Sequence, residues 1–430
     1  MVHSWSAVDT TFLRRVAGLA DTPEGRRLQQ RLVWQGTAGQ PPTPHGIPLR
    51  LHAGWRARLT EFVAAYHRLI ETVVSAHAAD PRVQQVVNVP DAWAQDVLTA
   101  DDDRVHLFRV DLLPQPDNGL KVLETNANCP SGLRSAGLCR AAWRPFLTER
   151  GIGLPEALPS DAEMWAGQWF LDLAEQETGT RPGTVAVLRP RGSSSGSVDG
   201  IVADLAEAGV RVVVGDPRDL RTGNGGVVLD GEPVRHAYAK IRIKHLLPMR
   251  HEVAPYLRAL RDRTLFVQNG LRGRLIGDNK LCLAVLSDPQ FADLFPPQAY
   301  ALVKPSIPWS RNIALCDAAT VREIRACPER YVLKRPLDTR GEGVVVGREL
   351  PGSPGSSAWE DAVTLALTER WLVQEYCPAP RIDIDPHGAP STHDLALGAV
   401  NGRLVGAFSR VGTGARLNTA RSGRAHPVYL

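Results

Sequence analysis

Apolar positions recur at three- and four-residue spacing in two early stretches, VDTTFLRRV (8–16) and GWRARLTEFVAAYHRLIETVVSAH (54–77). That spacing predicts amphipathic helices, the second being the longest in the chain. The Pro-rich segment QPPTPHGIP (40–48) connects them. From residue 108 the period changes to two. FRVDLLP, the turn signal PQPDNG and LKVLETN predict a β-hairpin over 108–126. Further on, 184–216 reads as strand, Gly/Ser loop, helix, strand, which is one βαβ unit. AYAKIRIK (237–244) alternates cleanly and predicts a strand with Tyr238, Lys240, Arg242 and Lys244 on one face. YVLKRPLDTRGEGVVVG (331–347) predicts two strands around a glycine loop, and WLVQEYCP (371–378) a buried strand ended by proline. The run from His393 to Arg410 predicts a second hairpin about Asn401-Gly402. The expected fold class is α/β (α+β). It divides into 1–150, 151–262 and 263–430: from about 150 to 182 the chain reads as helix plus linker, with TGTRPG (178–183) marking a boundary before the βαβ unit, and the last part begins near residue 263.

A chain of 430 residues with 43% hydrophobic and 22% charged residues is long enough for two or three cored domains. Its net charge of +4 is small for that length and predicts no nucleic-acid surface. The six cysteines form no C-x-x-C pair and no regular spacing with the twelve histidines, which argues against zinc and against a disulfide scaffold. The first residues carry no apolar run of signal-peptide length, and no later stretch approaches the roughly 18 to 20 apolar residues of a membrane span. The expectation is a soluble, cytoplasmic protein with no membrane or nucleic-acid partner.

The chemistry concentrates in FRVDLLPQPDNGLKVLETNANCPSGLRSAGLCR (108–140). Arg109 and Asp111 lie two apart in one strand, Glu124 and Asn126 two apart in the next, so the hairpin can bring all four to one face. Two carboxylates and an amide oxygen form a hard-oxygen set suited to Mg²⁺ or Mn²⁺. The plain alternative is a hairpin with a polar solvent face. Ser131 is a candidate N-cap for a helix behind it, its amides facing an anion. His67 and His77 read as partly buried helix histidines. The loop 192–196 is neither G-x-G-x-x-G nor a Walker A sequence.

The order of these pieces, with ETNANCPSGL behind an R-x-D strand, Lys280 in GDNKLCLAVL, Lys334 before a glycine loop and Gln374-Glu375 in a hinge strand, resembles the circularly permuted ATP-grasp ligases, the group of glutathionylspermidine synthase. The resemblance implies a permuted ATP-grasp fold with a helical N-terminal part and a small pre-ATP-grasp α/β domain. It further implies that Lys280 and Lys334 contact ATP phosphates, that a loop containing Gly341 and Gly343 closes over them, and that Gln374, Glu375 and Tyr376 border the adenine. Arg410 becomes the cationic clamp, with Arg416 and Arg421 as rivals, and Arg109 bridges γ-phosphate and acyl oxygen. Ser131, Ser194, Lys240 and Arg242 fall on the substrate side. The activity implied is ADP-forming amide synthesis from a small carboxylate and an amine through an acyl phosphate. A kinase-like phosphotransferase and a non-catalytic nucleotide-binding relative remain open, as do the substrates and the oligomeric state.

Overall fold

The computed structural model describes residues 4–34, 43–89, 93, 96, 103–128, 130–193, 196–223, 225–339, 341–350, 357–384, 391–414, 417 and 423–430. The N-terminal part is helical, as its periodicity predicts: α1 (Thr10–Ala20), α2 (Pro23–Arg31) and the long α3 (Trp55–Ala79). The hairpin follows as β1 (Leu107–Pro114) and β2 (Leu120–Asn126), then α4 (Leu133–Thr148) and α5 (Trp165–Thr178). The βαβ unit is β3 (Thr184–Leu188), α6 (Gly196–Glu207) and β4 (Arg211–Gly215), extended by β5 (His236–Ala239) and β6 (Phe266–Val267). Two short helices, α7 (Leu271–Ile276) and α8 (Cys282–Ser287), lead to β7 (Ser310–Asn312), β8 (Tyr331–Lys334), β9 (Val344–Val346), α9 (Ser357–Glu369) and β10 (Leu372–Glu375). The chain ends in β11 (Arg381–Ile382), β12 (Ser391–His393), β13 (Leu395–Val400), β14 (Arg403–Gly412) and β15 (Arg424–Tyr429).

Three of the sheets position the site. The largest runs β11-β12-β14-β13-β1-β2, with β15 on β14 and the short strand Leu49–Arg50 parallel to β15. Its centre is therefore built from both ends of the chain. The second sheet is parallel, ordered β6-β5-β3-β4, and the third is antiparallel, ordered β7-β10-β8-β9. The Asn401-Gly402 turn has φ of 47° and 73°, the left-handed pair that a two-residue hairpin requires.

Every residue of β1 is buried. On one side α3 covers it: His67 stacks on Phe108 with ring centroids 5.5 Å apart and bonds the Val105 carbonyl at 2.9 Å, while Tyr66 and Thr125 share a hydroxyl bond of 2.6 Å. His77 bonds the Val87 carbonyl at 2.9 Å, so both helix histidines hold structure, as their setting suggests.

The predicted strand 237–244 is half as long. Pairing ends at Ala239, and Ile243–Leu246 is helical, so Lys240, Arg242 and Lys244 do not share a strand face. Alternation of charge alone could not distinguish a solvated strand from a turn whose basic side chains each find a separate partner.

Behind the large sheet His426 gives its Nδ1 to the Ile47 carbonyl at 2.8 Å. A Cβ on Gly46 would stand 2.1 Å from that ring, so only glycine lets the strands approach. Burial pushes His426 and His45 down to about 4. Between pH 6.5 and about 4 the unfolded chain binds protons that the folded protein refuses, so stability is lost as pH falls through that window. Each ring accounts for about 3 kcal/mol. Urea unfolding should show that His426→Gln flattens this loss relative to the wild type; equal pH slopes in both would contradict it.

Candidate active site

The ladder sets Arg109 opposite Asn126 and Asp111 opposite Glu124, so the four side chains form one patch across β1 and β2. On the other edge of β1, Asp111 lies beside Ala396 of β13, and β13 in turn pairs with β14. That register delivers Arg410. Arg109 forks onto Asp111 through Nε at 2.7 Å and Nη2 at 2.8 Å, and Arg410 Nη2 reaches Asp111 Oδ2 at 2.9 Å. Arg109 also donates to the Ser131 carbonyl at 2.9 Å. Burial raises the Asp111 carboxyl, but the two guanidinium charges outweigh it and hold it down at about 2. Asp111 is therefore a carboxylate at neutral pH.

Glu124 is the more open of the two acids, with 25% of its side chain exposed against none for Asp111. Burial lifts its carboxyl, Lys280 and Lys334 outweigh that, and the net shift is downward. Lys280 stands 3.4 Å from Glu124 and donates to the Asp338 carbonyl at 2.5 Å. Lys334 donates to the Leu123 carbonyl at 2.8 Å and to Gln374 Oε1 at 2.7 Å. Burial lowers Lys334 to about 8, with Glu124 opposing the shift. Four cations, Arg109, Lys280, Lys334 and Arg410, thus surround the acids, and they come from both halves of the chain.

The hard-oxygen set fits a divalent ion in part. Glu124 and Asn126 are adjacent on β2, with the Asn126 amide donating to Asp111 at 3.3 Å and to Glu124 at 3.5 Å. Both Asp111 oxygens are already bonded to guanidinium groups, so Asp111 could join an ion only by giving up one of those bonds. Among the described residues, no cluster of three or more His, Cys, Asp or Glu side chains is placed to hold a metal.

Several residues take other positions than expected. Ser131 does not cap α4: the cap is Gly132 at φ 98°, without a side-chain bond. Gln374, expected to border an adenine, lies inside the sheet. Its side chain is buried, holding Lys334 and donating to Ser310 Oγ at 3.2 Å. The amides of Glu375 and Tyr376 bond the carbonyls of Trp309 and Arg330, both at 2.8 Å. The Tyr376 ring lies under Arg348 at 4.4 Å. Ser194, Arg416 and Arg421 lie outside the described residues.

Gly341 and Gly343, at φ 70° and 61°, shape the loop between β8 and β9. Arg242 bonds Thr339 Oγ1 at 2.8 Å. Lys244 bridges Asp338 at 3.1 Å and Glu342 at 2.6 Å. The glycine loop is therefore tied to the segment after β5. Lys240 donates to the Pro130 carbonyl at 3.2 Å, beside Ser131.

Two buried acids escaped the sequence. Asp394 accepts the Arg410 amide at 2.7 Å and Arg410 Nε at 2.6 Å. Asp278 accepts the amides of Ala127 at 2.7 Å and Asn128 at 3.0 Å, fixing the end of β2. Burial raises both carboxyls. Asp394 is followed by the apolar run LAL, whereas Asp278 lies between Gly277 and Asn279 and carries no such signal.

No protein-family model matches the chain, and no curated protein matches it in sequence. Among solved structures, a glutathione synthetase-like effector from Globodera pallida, solved in its apo form, superposes with a TM-score of 0.60 at 14% identity, covering 98% of each chain. A protein of Methylobacillus flagellatus provisionally described as a gamma-glutamylcysteine synthetase matches at TM-score 0.44 and 12% identity, over 84% of this chain and 86% of its own. The first likeness spans nearly the whole chain and shows a shared mixed α/β fold. No helix among the described residues is long and apolar enough to cross a membrane.

Lys244→Met removes both ion pairs to the glycine loop. Partly exposed pairs are each worth up to about 1 kcal/mol, so amide exchange across 337–343 should accelerate roughly fivefold while the melting temperature stays nearly constant. Unchanged exchange there would show that the ion pairs do not hold the loop.

Proposed function

We propose that the protein is an ATP-dependent, ADP-forming carboxylate–amine ligase of the permuted ATP-grasp kind, acting on small amino-acid or peptide-like substrates. The observation that carries this reading is the buried convergence of Arg109, Arg410, Lys280 and Lys334 on a face that also offers Glu124 and Asn126. Four cations held in a partly dry site are an anion receptor, and a glycine loop lies against one of them. The fold likeness to a glutathione synthetase-like protein supports the same reading. So does the chain order, in which an early hairpin completes a sheet made otherwise from the last strands.

The chemistry follows from charge. Oxygen of the substrate carboxylate attacks the γ-phosphorus of ATP, the bond to the β-phosphate oxygen breaks, and ADP leaves. The amine nitrogen then attacks the acyl carbon of the acyl phosphate, inorganic phosphate leaves with the C–O electron pair, and the nitrogen loses a proton. Both steps bring anions together, so positioning and fixed cations lower the barrier. Lys280 and Lys334 would neutralise the phosphate chain. Arg109 can fork onto two oxygens, which suits bridging the γ-phosphate and the acyl oxygen. Arg410 holds its charge beside the same place. Glu124 and Asn126 would hold Mg²⁺, with Asp111 joining them in exchange for a guanidinium bond. When bound, the ion would supply two further positive charges beside the phosphate chain.

Paired amino acids, peptides and polyamines should include a combination that releases ADP and yields a product whose mass is the sum of acid and amine less one water. Glu124→Gln should then lower substrate-dependent ADP release by about two orders of magnitude or more, with an unchanged melting curve. Near-wild-type turnover would discard the metal assignment, and a phosphoester product would replace the ligase by a phosphotransferase.

A further inference from the structure

Arg410 is long, flexible and part of a group of like charges, so something must fix it. Asp394 does so from both ends. Its Oδ1 accepts the Arg410 backbone amide at 2.7 Å, and its Oδ2 accepts Nε at 2.6 Å, with Nη2 also in contact. The carbonyl of Arg410 in turn accepts the Asp394 amide at 3.2 Å. Asp394 is fully buried at the corner between β12 and β13, where the chain changes partners along β14. It spends the Nε side of the guanidinium and leaves Nη2 to be shared with Asp111 at 2.9 Å. The result is an alternating row of charges, Asp394, Arg410, Asp111 and Arg109, ending at the Ser131 carbonyl. An alternating row lets two guanidinium groups stand side by side without repelling each other apart.

We propose that Asp394 is a positioning residue: it fixes the rotamer and charge of Arg410 so that the rest of the fork faces the transferred phosphoryl group. This rests on the ligase reading for the identity of that group, but not for the contact between the two residues. Asp394 touches neither nucleotide nor acid and acts through Arg410. A purely structural acid would affect folding and all ligands alike. A positioning acid affects what Arg410 recognises and nothing else.

The experiment measures ATP, a non-hydrolysable ATP analogue and ADP binding by calorimetry for the wild type, Asp394→Asn, Arg410→Gln and the double variant, alongside kcat and KM where turnover exists. Asp394→Asn should lower the preference for the triphosphate over ADP by at least tenfold, leave ADP affinity unchanged, and lower kcat at constant KM for the amine. In the Arg410→Gln background it should cost nothing further. Additive losses, equal losses for ADP and ATP, or an unaltered preference would each overturn the proposal. Arg410→Lys keeps the charge and loses the fork to Asp394. It should reproduce the Asp394→Asn effect even if that variant does not fold, and full triphosphate preference in Arg410→Lys would refute the inference. If the wild type binds nucleotide but releases no ADP with any acid and amine, the ligase reading fails while the binding preference still decides the role of Asp394. A wild type that binds no nucleotide overturns both.

Discussion

A carboxylate without solvent access has to be neutralised by its immediate surroundings, and Asp111 is that group here. Stripping its hydration costs several kcal/mol, which is recovered only if oppositely charged donors meet it with good geometry. Arg109 meets it from two residues away on the same strand, which needs nothing more than an extended backbone. Arg410 meets it from 299 positions further along the sequence, which needs β1, β13 and β14 in one register. A slip of one residue in either pairing would turn Asp111 or Arg410 to the opposite face and leave a buried charge alone. The same ion pair therefore specifies the joining of the N-terminal hairpin to the C-terminal strands and the assembly of the cationic site. Folding of the large sheet and formation of the site are one event.

Sequence patterning was informative where a single strand or turn carried the relation. Arg109 with Asp111, and Glu124 with Asn126, follow from the two-residue period, and the hairpin between them follows from Asn118 and Gly119. The parallel unit at 184–215 was equally legible, since its apolar strands flank a Gly/Ser loop and a helix. Relations carried by tertiary pairing were not. Asp394 sits in HDLALG, a run that says strand and gives no reason to suspect an acid pointing at Arg410. Resemblance assigns Gln374 to the hinge strand, and strand alternation sends its side chain inward to Lys334. Ser131 looked like a cap because serine caps helices, but Gly132 takes the left-handed position first.

The misread strand at 237–244 is the more instructive case. Its alternating basic residues have the period of a strand, and the period is produced instead by three separate destinations: Pro130 for Lys240, Thr339 for Arg242, and Asp338 with Glu342 for Lys244. Two of the three lead to the glycine loop. A stretch that resemblance assigns to substrate recognition thus also governs the position of the loop, and it couples the parallel sheet to β8 and β9.

That coupling changes what nucleotide binding would have to do. In the structure Lys280 is already met by the Asp338 carbonyl and Glu124, while Lys244 and Arg242 are met by loop oxygens. On the ligase reading, the loop's own oxygens would stand in for part of the phosphate anion. A triphosphate entering there would exchange partners with these cations, since each is already met by protein oxygens. Exchange of that kind contributes little net electrostatic energy per contact, because each new bond replaces an old one. The selectivity of the site then has to come from the donors that the loop cannot satisfy. On the ligase reading Arg109 and Arg410, held by buried carboxylates on the sheet, are those donors, so discrimination between anions would belong to the strands.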